Sequence, residues 1–257
     1  GFPVPRVAHA RVYINGRYAG LYVVDEAVDK PFLKRNFGED DGYLYEYSWD
    51  GPYNFEDRGA NPAAYTPVPF NPHTHEKDPQ PGPLVEFIRT INRASDADFL
   101  SAMGALTDLR LYVAHAAVES YLGEVDGIVG DSGLANFYLY RFERRNWWRF
   151  IPWDKDNTFR DIDRPIFKNF DTNVLMRRTA AFPEMRAAFL EALAKSLALG
   201  GAAGGRLEQD IRRYYERIRA AVYEDPVKQC SLELFGPIGP CTNEEFERVV
   251  AHLLEYV

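Results

Sequence analysis

The sequence is short of positive charge: 30 Lys and Arg stand against 38 Asp and Glu in 257 residues, a net charge of −8. General nucleic-acid binding needs a basic surface that displaces counterions, so the charge argues against that class. A polybasic membrane anchor is disfavoured on the same ground. No apolar run is long enough to cross a bilayer. No signal peptide is legible, and the chain starts at Gly1 rather than Met, so we expect that its true beginning has been removed. Cysteine is nearly absent: Cys230 and Cys241 are the only two. They cannot build a four-ligand zinc site without histidine, and no histidine lies near them in sequence.

What remains for the cysteines is a local disulfide or two free buried thiols. The stretch between them, Leu234 to Pro240, is rich in Gly and Pro. A stiff loop brings its ends together at low entropic cost, which favours the disulfide and, with it, an oxidising compartment. The length suffices for one large domain or for two lobes around a cleft. Aromatic residues make up 14% of the chain, which points to an aromatic core with Tyr hydroxyls hydrogen-bonded at its edge.

The chain opens with a β pattern. Arg11 to Ile14 alternates, Asn15-Gly16 supplies a type I′ turn, and Tyr18 to Val24 returns. A short helix follows from Asp29 with Pro31 in its first turn, then a strand over Tyr43 to Tyr47. Together these predict one small, mostly antiparallel sheet with one helix. Gly51 to Pro83 reads as a long loop rich in Pro, Asn and Gly, either functional or mobile. It carries His73 and His75, an HxH pair that can bind metal but is more often merely solvated in such a loop.

From Leu84 the pattern turns helical: Leu84 to Ala94, a helix capped by Asp96, and a buried helix over Leu106 to Leu122 in which His115 reads as a packed side chain. Pro183 to Ala198, Leu207 to Tyr223 and Phe246 to Tyr256 are further helices. The Gly200 to Gly205 stretch links the first two, and Thr242 or Asn243 caps the last. The expected organisation is a β-rich lobe with its loop over 1–83 and a helical lobe over 84–257 that carries one inserted hairpin.

That hairpin gathers the chemistry. Asn136 to Phe142 and Trp147 to Trp153 read as strands around the turn Glu143 to Asn146. The register then pairs Asn136 with Trp153 and sets Asp154 beside Asn136, with Asp156 just beyond. The loop that enters the hairpin carries Asp126 and Asp131. Gathered carboxylates raise one another's pKa unless a cation neutralises them, and Mg²⁺ with oxygen ligands does so. Phosphoryl transfer needs this set: a metal-binding Asp and Asn, and a separate Asp for the attacking hydroxyl. Protein kinases place a base Asp, an Asn, a hairpin and a metal Asp in the same order, here without the usual HRD and DFG words. The bland alternative is that these Asp residues only shape loops and cap helices.

Val12 to Glu26, Asp126-Gly127 with Asn136 to Tyr140, and Ile151 to Phe159 together resemble the CotH family of atypical kinases. Val12 to Glu26, with Asn15-Gly16, Gly20-Leu21-Tyr22 and Glu26, is similar to its small-lobe signature, and Gly1-Phe2-Pro3-Val4-Pro5 to the lead-in before it. Asp126-Gly127 with Asn136 to Tyr140, and Ile151 to Phe159 with Trp153-Asp154 and Asp156, look like its catalytic segments. Val174 to Arg177 with Pro183-Glu184 fits its helical lobe, so that the resemblance covers most of the chain. It implies an α+β, two-lobed, protein-kinase-like fold whose small antiparallel β lobe is truncated at its N-terminus.

The resemblance also implies a Mg²⁺-dependent enzyme that transfers the γ-phosphate of ATP to Ser or Thr of a secreted or coat protein outside the cytoplasm. Asp126 matches the catalytic-loop Asp, with Asp131 as the alternative base. Asn136 and Asp154 match the metal-binding pair, Asp156 the second Asp, and Glu26 the small-lobe Glu that positions a phosphate-binding Lys or a metal. One departure is plain: where the family often has Lys, this chain has Glu46, and a Glu repels a triphosphate. Lys30, Lys34 and Lys155 are the candidate substitutes within the sequence, and a Lys upstream of it is the other. The alternative reading is an inactive structural or binding protein of the spore coat or cell surface; a weaker one keeps the nucleotide and transfers AMP.

Overall fold

A computed structural model describes residues 2–201, 204–230 and 238–257. Gly1 of the lead-in, Ala202 and Ala203 of the glycine-rich link, and the 234–237 part of the loop between the cysteines lie outside the described residues. The architecture is mixed α+β, with small antiparallel sheets and eight α-helices among the described residues. The chain packs as two compact units, Gly1–Val4 with Ala27–Ala194, and Pro5–Glu26 with Lys195–Val257. The 83/84 boundary suggested by the sequence falls inside the first of them.

In the first unit, α1 (Lys30–Phe37) starts where the Asp29 side chain accepts the Phe32 N–H and stops at Gly38, whose φ of 77° is costly for any residue with a Cβ. The central sheet has the order β4-β3-β5-β6, built from β3 (Tyr43–Tyr47), β4 (Phe70–Pro72), β5 (Phe137–Arg141) and β6 (Trp148–Pro152). Both of its faces are covered. Tyr45, Tyr47, Phe137, Leu139, Trp148 and Phe150 point into the main core. Leu44, Tyr138, Tyr140 and Ile151 point into a second cluster with Phe32 and Leu33 of α1. Period-two alternation therefore buries both sets of side chains. The helices α2 (Gly82–Arg93), α3 (Phe99–Gly104), α4 (Leu109–Tyr121) and α5 (Val174–Ala180) add Phe87, Phe99, Tyr112 and Leu175 to the main core. α6 (Pro183–Gly200) begins in this unit and adds Phe189.

The second unit contains β1 (Val7–Ile14) and β2 (Arg17–Asp25), joined by Asn15 and Gly16 at φ 52° and 77°, as a type I′ turn requires. It also contains α7 (Arg206–Glu224), β7 (Gln229–Cys230), β8 (Gly239–Pro240) and α8 (Asn243–Tyr256). The hairpin packs on α7: the Tyr18 hydroxyl donates to Ala221 O at 2.9 Å, and Leu21 N–H to Asp225 Oδ2 at 2.8 Å. A Cβ on Gly20 would lie 3.0 Å from that same carboxylate, and its φ of 136° favours glycine independently. Cys230 and Cys241 are disulfide-bonded.

Three expectations are corrected. β1–β2 do not share a sheet with the strand at Tyr43–Tyr47; they form a separate two-stranded sheet, and β3 hydrogen-bonds the fully buried β5 instead. Asp96 does not cap α3. Asp98 stands at that N-cap, and Asp96 pairs with Arg178 at 3.0 Å. The Gly51 to Pro83 stretch is not all loop, since it holds a 3-10 turn at Pro62–Ala64 and the edge strand β4. Between Thr242 and Asn243, the cap is Thr242, with a full capping box to Glu245.

Candidate functional site

The β5–β6 register runs Phe137↔Pro152 to Arg141↔Trp148, and Trp153 N–H donates to Asn136 O at 3.1 Å. Asn136 thus stands opposite Trp153 at the hairpin mouth, as the sequence predicts. Asn136 and Asp154 both take left-handed backbones, φ 55° and 47°. Among residues with a Cβ, Asn and Asp tolerate this region best, and isolated examples cluster at working sites. The two segments that flank the hairpin are stitched together: Val125 N–H donates to Asn157 O at 3.3 Å, and Phe159 N–H to Leu122 O at 2.7 Å.

Asp126 is half-buried, and its Oδ2 accepts from Asn136 Nδ2 at 3.1 Å. Burial raises its pKa, and the nearby Asp156 and Glu119 push in the same direction against Asn136 and Lys155. Asp154 and Asp156 are exposed. Asp156 Oδ1 accepts from Asn157 Nδ2 at 3.0 Å. The fold therefore brings Asp126, Asn136, Asp154 and Asp156 to one edge of the sheet.

Asp131 is held differently. Arg164 grips both of its oxygens at 2.9 and 2.8 Å, and Asn169 Nδ2 adds a third bond at 2.8 Å. The Arg164 contact, outweighing burial, lowers its pKa. Glu26 belongs to the second unit, where its carboxylate accepts the Arg6 N–H at 3.0 Å. Glu46 lies 2.6 Å from His73 Nε2, and the Tyr138 hydroxyl hydrogen-bonds the same carboxylate. His75 Nε2 is 2.9 Å from Asp41 O, and its ring stacks on Tyr43, so the two histidines face different partners. Lys30 and Lys34 pair with Asp41 and Asp40 at 3.5 and 3.4 Å.

Two buried carboxylates escaped the sequence reading. Glu119, in the last turn of α4, lies 2.7 Å from Lys155 Nζ and 3.1 Å from His115 Nε2. Burial pushes its pKa up, but Lys155 and His115 overcome that and hold it down at about 2. Glu124 accepts the Asp126 N–H at 2.7 Å, and burial raises it to about 7 against the pull of Lys155. The legible signal was the i, i+4 spacing of His115 and Glu119 on one helix face. Gly127 shows why the Asp-Gly step is there: a Cβ would lie 2.4 Å from Glu119 Oε2.

Among the described residues, the one group of three His, Cys, Asp or Glu whose ligand atoms converge as a metal site would need is Cys230, Cys241 and Glu245. The disulfide removes both of those sulfurs as ligands. The oxygen donors at the hairpin mouth do not form a closed cage. Mg²⁺ is ordinarily held without a closed protein cage, by one or two carboxylates together with substrate phosphates. No helix among the described residues is long and apolar enough to cross a membrane.

The family model described as CotH kinase protein matches residues 1–257. Inner spore coat protein H of Bacillus subtilis (strain 168) is 29% identical over 245 residues, which cover 90% of this chain. The aligned region spans 64% of that relative's length.

Proposed function

The chain belongs to the CotH kinase family, and on that premise we propose that it is a Mg²⁺-dependent protein kinase with a two-lobed kinase-like fold. It transfers the γ-phosphate of ATP to Ser or Thr of a protein outside the cytoplasm. The similarity to a spore coat protein makes a coat component one class of substrate. The observation that carries the reading is the hairpin mouth, where Asn136 bonds Asp126 and the register sets Asp154 alongside.

Asp126 is the base. Its raised pKa suits acceptance of the substrate hydroxyl proton as that oxygen bonds the γ-phosphorus and the bond to the β-phosphate oxygen breaks, releasing ADP. Asn136 and Asp154 would hold the metal, with Asp156 as the further carboxylate. The bound cation supplies charge neutralisation on the transferring phosphoryl group. Asn136 has a second task, since its amide aims the Asp126 carboxylate. Asp131 is not assigned as base because Arg164 and Asn169 already occupy its oxygens. Glu26 is assigned no contact with nucleotide. Lys155 is already paired with the buried Glu119 at 2.7 Å and is not assigned to the nucleotide phosphates.

The test is a thermal shift with ATP, with and without Mg²⁺, on wild type and Asp154→Asn. A ligand at a hundred times its Kd stabilises by roughly 2.7 kcal/mol. A Mg²⁺-dependent shift that Asp154→Asn abolishes supports the site; an unchanged shift in the variant removes Asp154 from it. The second reading, a non-catalytic coat or surface binding protein, is favoured by Glu46 and its pairing with His73. It predicts no Mg²⁺-dependent shift in wild type.

A further inference from the structure

Glu119 is 6% exposed, and its carboxylate touches both segments that carry the site. Oε2 accepts the Ile128 N–H at 2.9 Å, and Gly127 lies against it with no room for a Cβ. This fixes the loop two residues beyond Asp126. Oε1 lies 2.7 Å from Lys155 Nζ, and Lys155 stands in sequence between Asp154 and Asp156. His115 Nε2 approaches the same oxygen at 3.1 Å. A buried ion pair costs desolvation, and packed apolar residues of the same volume often serve stability as well or better. Stability alone thus gives weak grounds for this pair.

We propose that Glu119 and Lys155 are positioning residues that lock the Asp126 loop to the Asp154–Asp156 segment. The lock acts through the residues it holds: Lys155 draws the post-hairpin segment inward, and Glu119 anchors it to α4 and to the Ile128 amide. Two backbone bonds report on it, Val125 N–H to Asn157 O and Phe159 N–H to Leu122 O. Its consequence for phosphoryl transfer rests on the kinase reading; the lock itself does not.

Amide hydrogen exchange on the full chain tests the lock. In Lys155→Met, the Val125 and Phe159 amides should exchange about tenfold faster or more, with the β3–β5 ladder unchanged. Lys155→Arg, which keeps the cation, should retain wild-type protection. Should Lys155→Met fail to fold, Glu119→Gln/Lys155→Met removes both charges and leaves the Ile128 N–H an acceptor; the same acceleration is expected. Unchanged exchange at both amides in a folded variant overturns the proposal, whatever the protein's chemistry. With Mg-ATP and dephosphorylated casein as a generic acceptor, Lys155→Met should lower kcat about a hundredfold and leave KM for ATP within about threefold, rescued by Lys155→Arg. A raised KM with kcat intact would make the pair a nucleotide-binding element and overturn the positioning role. If wild type neither binds Mg-ATP nor transfers phosphate, the kinase reading falls, and the exchange result still decides the lock.

Discussion

Asp126 and Asp131 are the same chemical group five positions apart, and the fold gives them different work. Asp126 is half-buried beside one amide, while Asp131 is gripped by a guanidinium and a second amide. Asp131→Asn leaves Arg164 without its bidentate acceptor and should destabilise the chain by about 2 kcal/mol while retaining Mg-ATP binding. Asp126→Asn should keep the melting temperature and lower transfer by about a hundredfold or more. Melting curves and a phosphate-transfer assay on both variants check this; loss of transfer in Asp131→Asn at unchanged stability would reverse the roles. Glu124 carries a pH signature. Burial raises it from 4.5 to about 7, so the folded chain keeps a proton that the unfolded chain releases between those values. Stability should therefore fall as pH rises through that window. Glu124→Gln, neutral at every pH, should flatten the slope and gain up to roughly 3 kcal/mol above pH 7, read by denaturant unfolding across the window.

At the level of elements, α4 and the β5–β6 hairpin meet at a glycine. Gly127 has an ordinary backbone conformation, so its requirement is steric: the Glu119 carboxylate lies where a Cβ would be. Gly127→Ala should cost about 1–3 kcal/mol, since the carboxylate is held by Lys155 and the Ile128 amide and cannot swing aside freely. Unfolding of this single variant measures it, and an unchanged midpoint would mean that the loop relaxes away. The hairpin itself was legible because its register follows from strand length and turn position. The placement of β3 was not. Its pattern fits either neighbour, and only the packing of Leu44 with Tyr138 and Tyr140 on one face, and of Tyr45 with Leu139 on the other, selects β5.

At the level of the whole chain, the two units are secured by different means. The first relies on an aromatic core around the four-stranded sheet. Among its described residues the second has few fully buried side chains. It holds α7 to α8 by Glu247, which accepts from the Tyr215 and Tyr223 hydroxyls and pairs with Arg219, and it carries the disulfide. Reduction of Cys230–Cys241 should remove roughly 3 kcal/mol from the second unit. Faster amide exchange in α7 and α8 under reductant, with β5 and β6 unchanged, is the expected result; equal acceleration everywhere would show that the two units unfold together.

The sequence by itself determined the elements with short-range causes. The Asn15-Gly16 turn, the helix start at Asp29, the hairpin register and the opposition of Asn136 and Trp153 all follow from local backbone preference and period-two alternation. So did the family, because its motifs are contiguous words. Tertiary structure decided which carboxylates are exposed, which are buried and what each one touches. Glu119, Glu124 and Asp131 look alike in sequence. Their charge states depend on Lys155, Arg164 and the loss of water around them, and those arrive from segments tens of residues away. Desolvation and long-range pairing belong to the packed chain, and no local pattern encodes them.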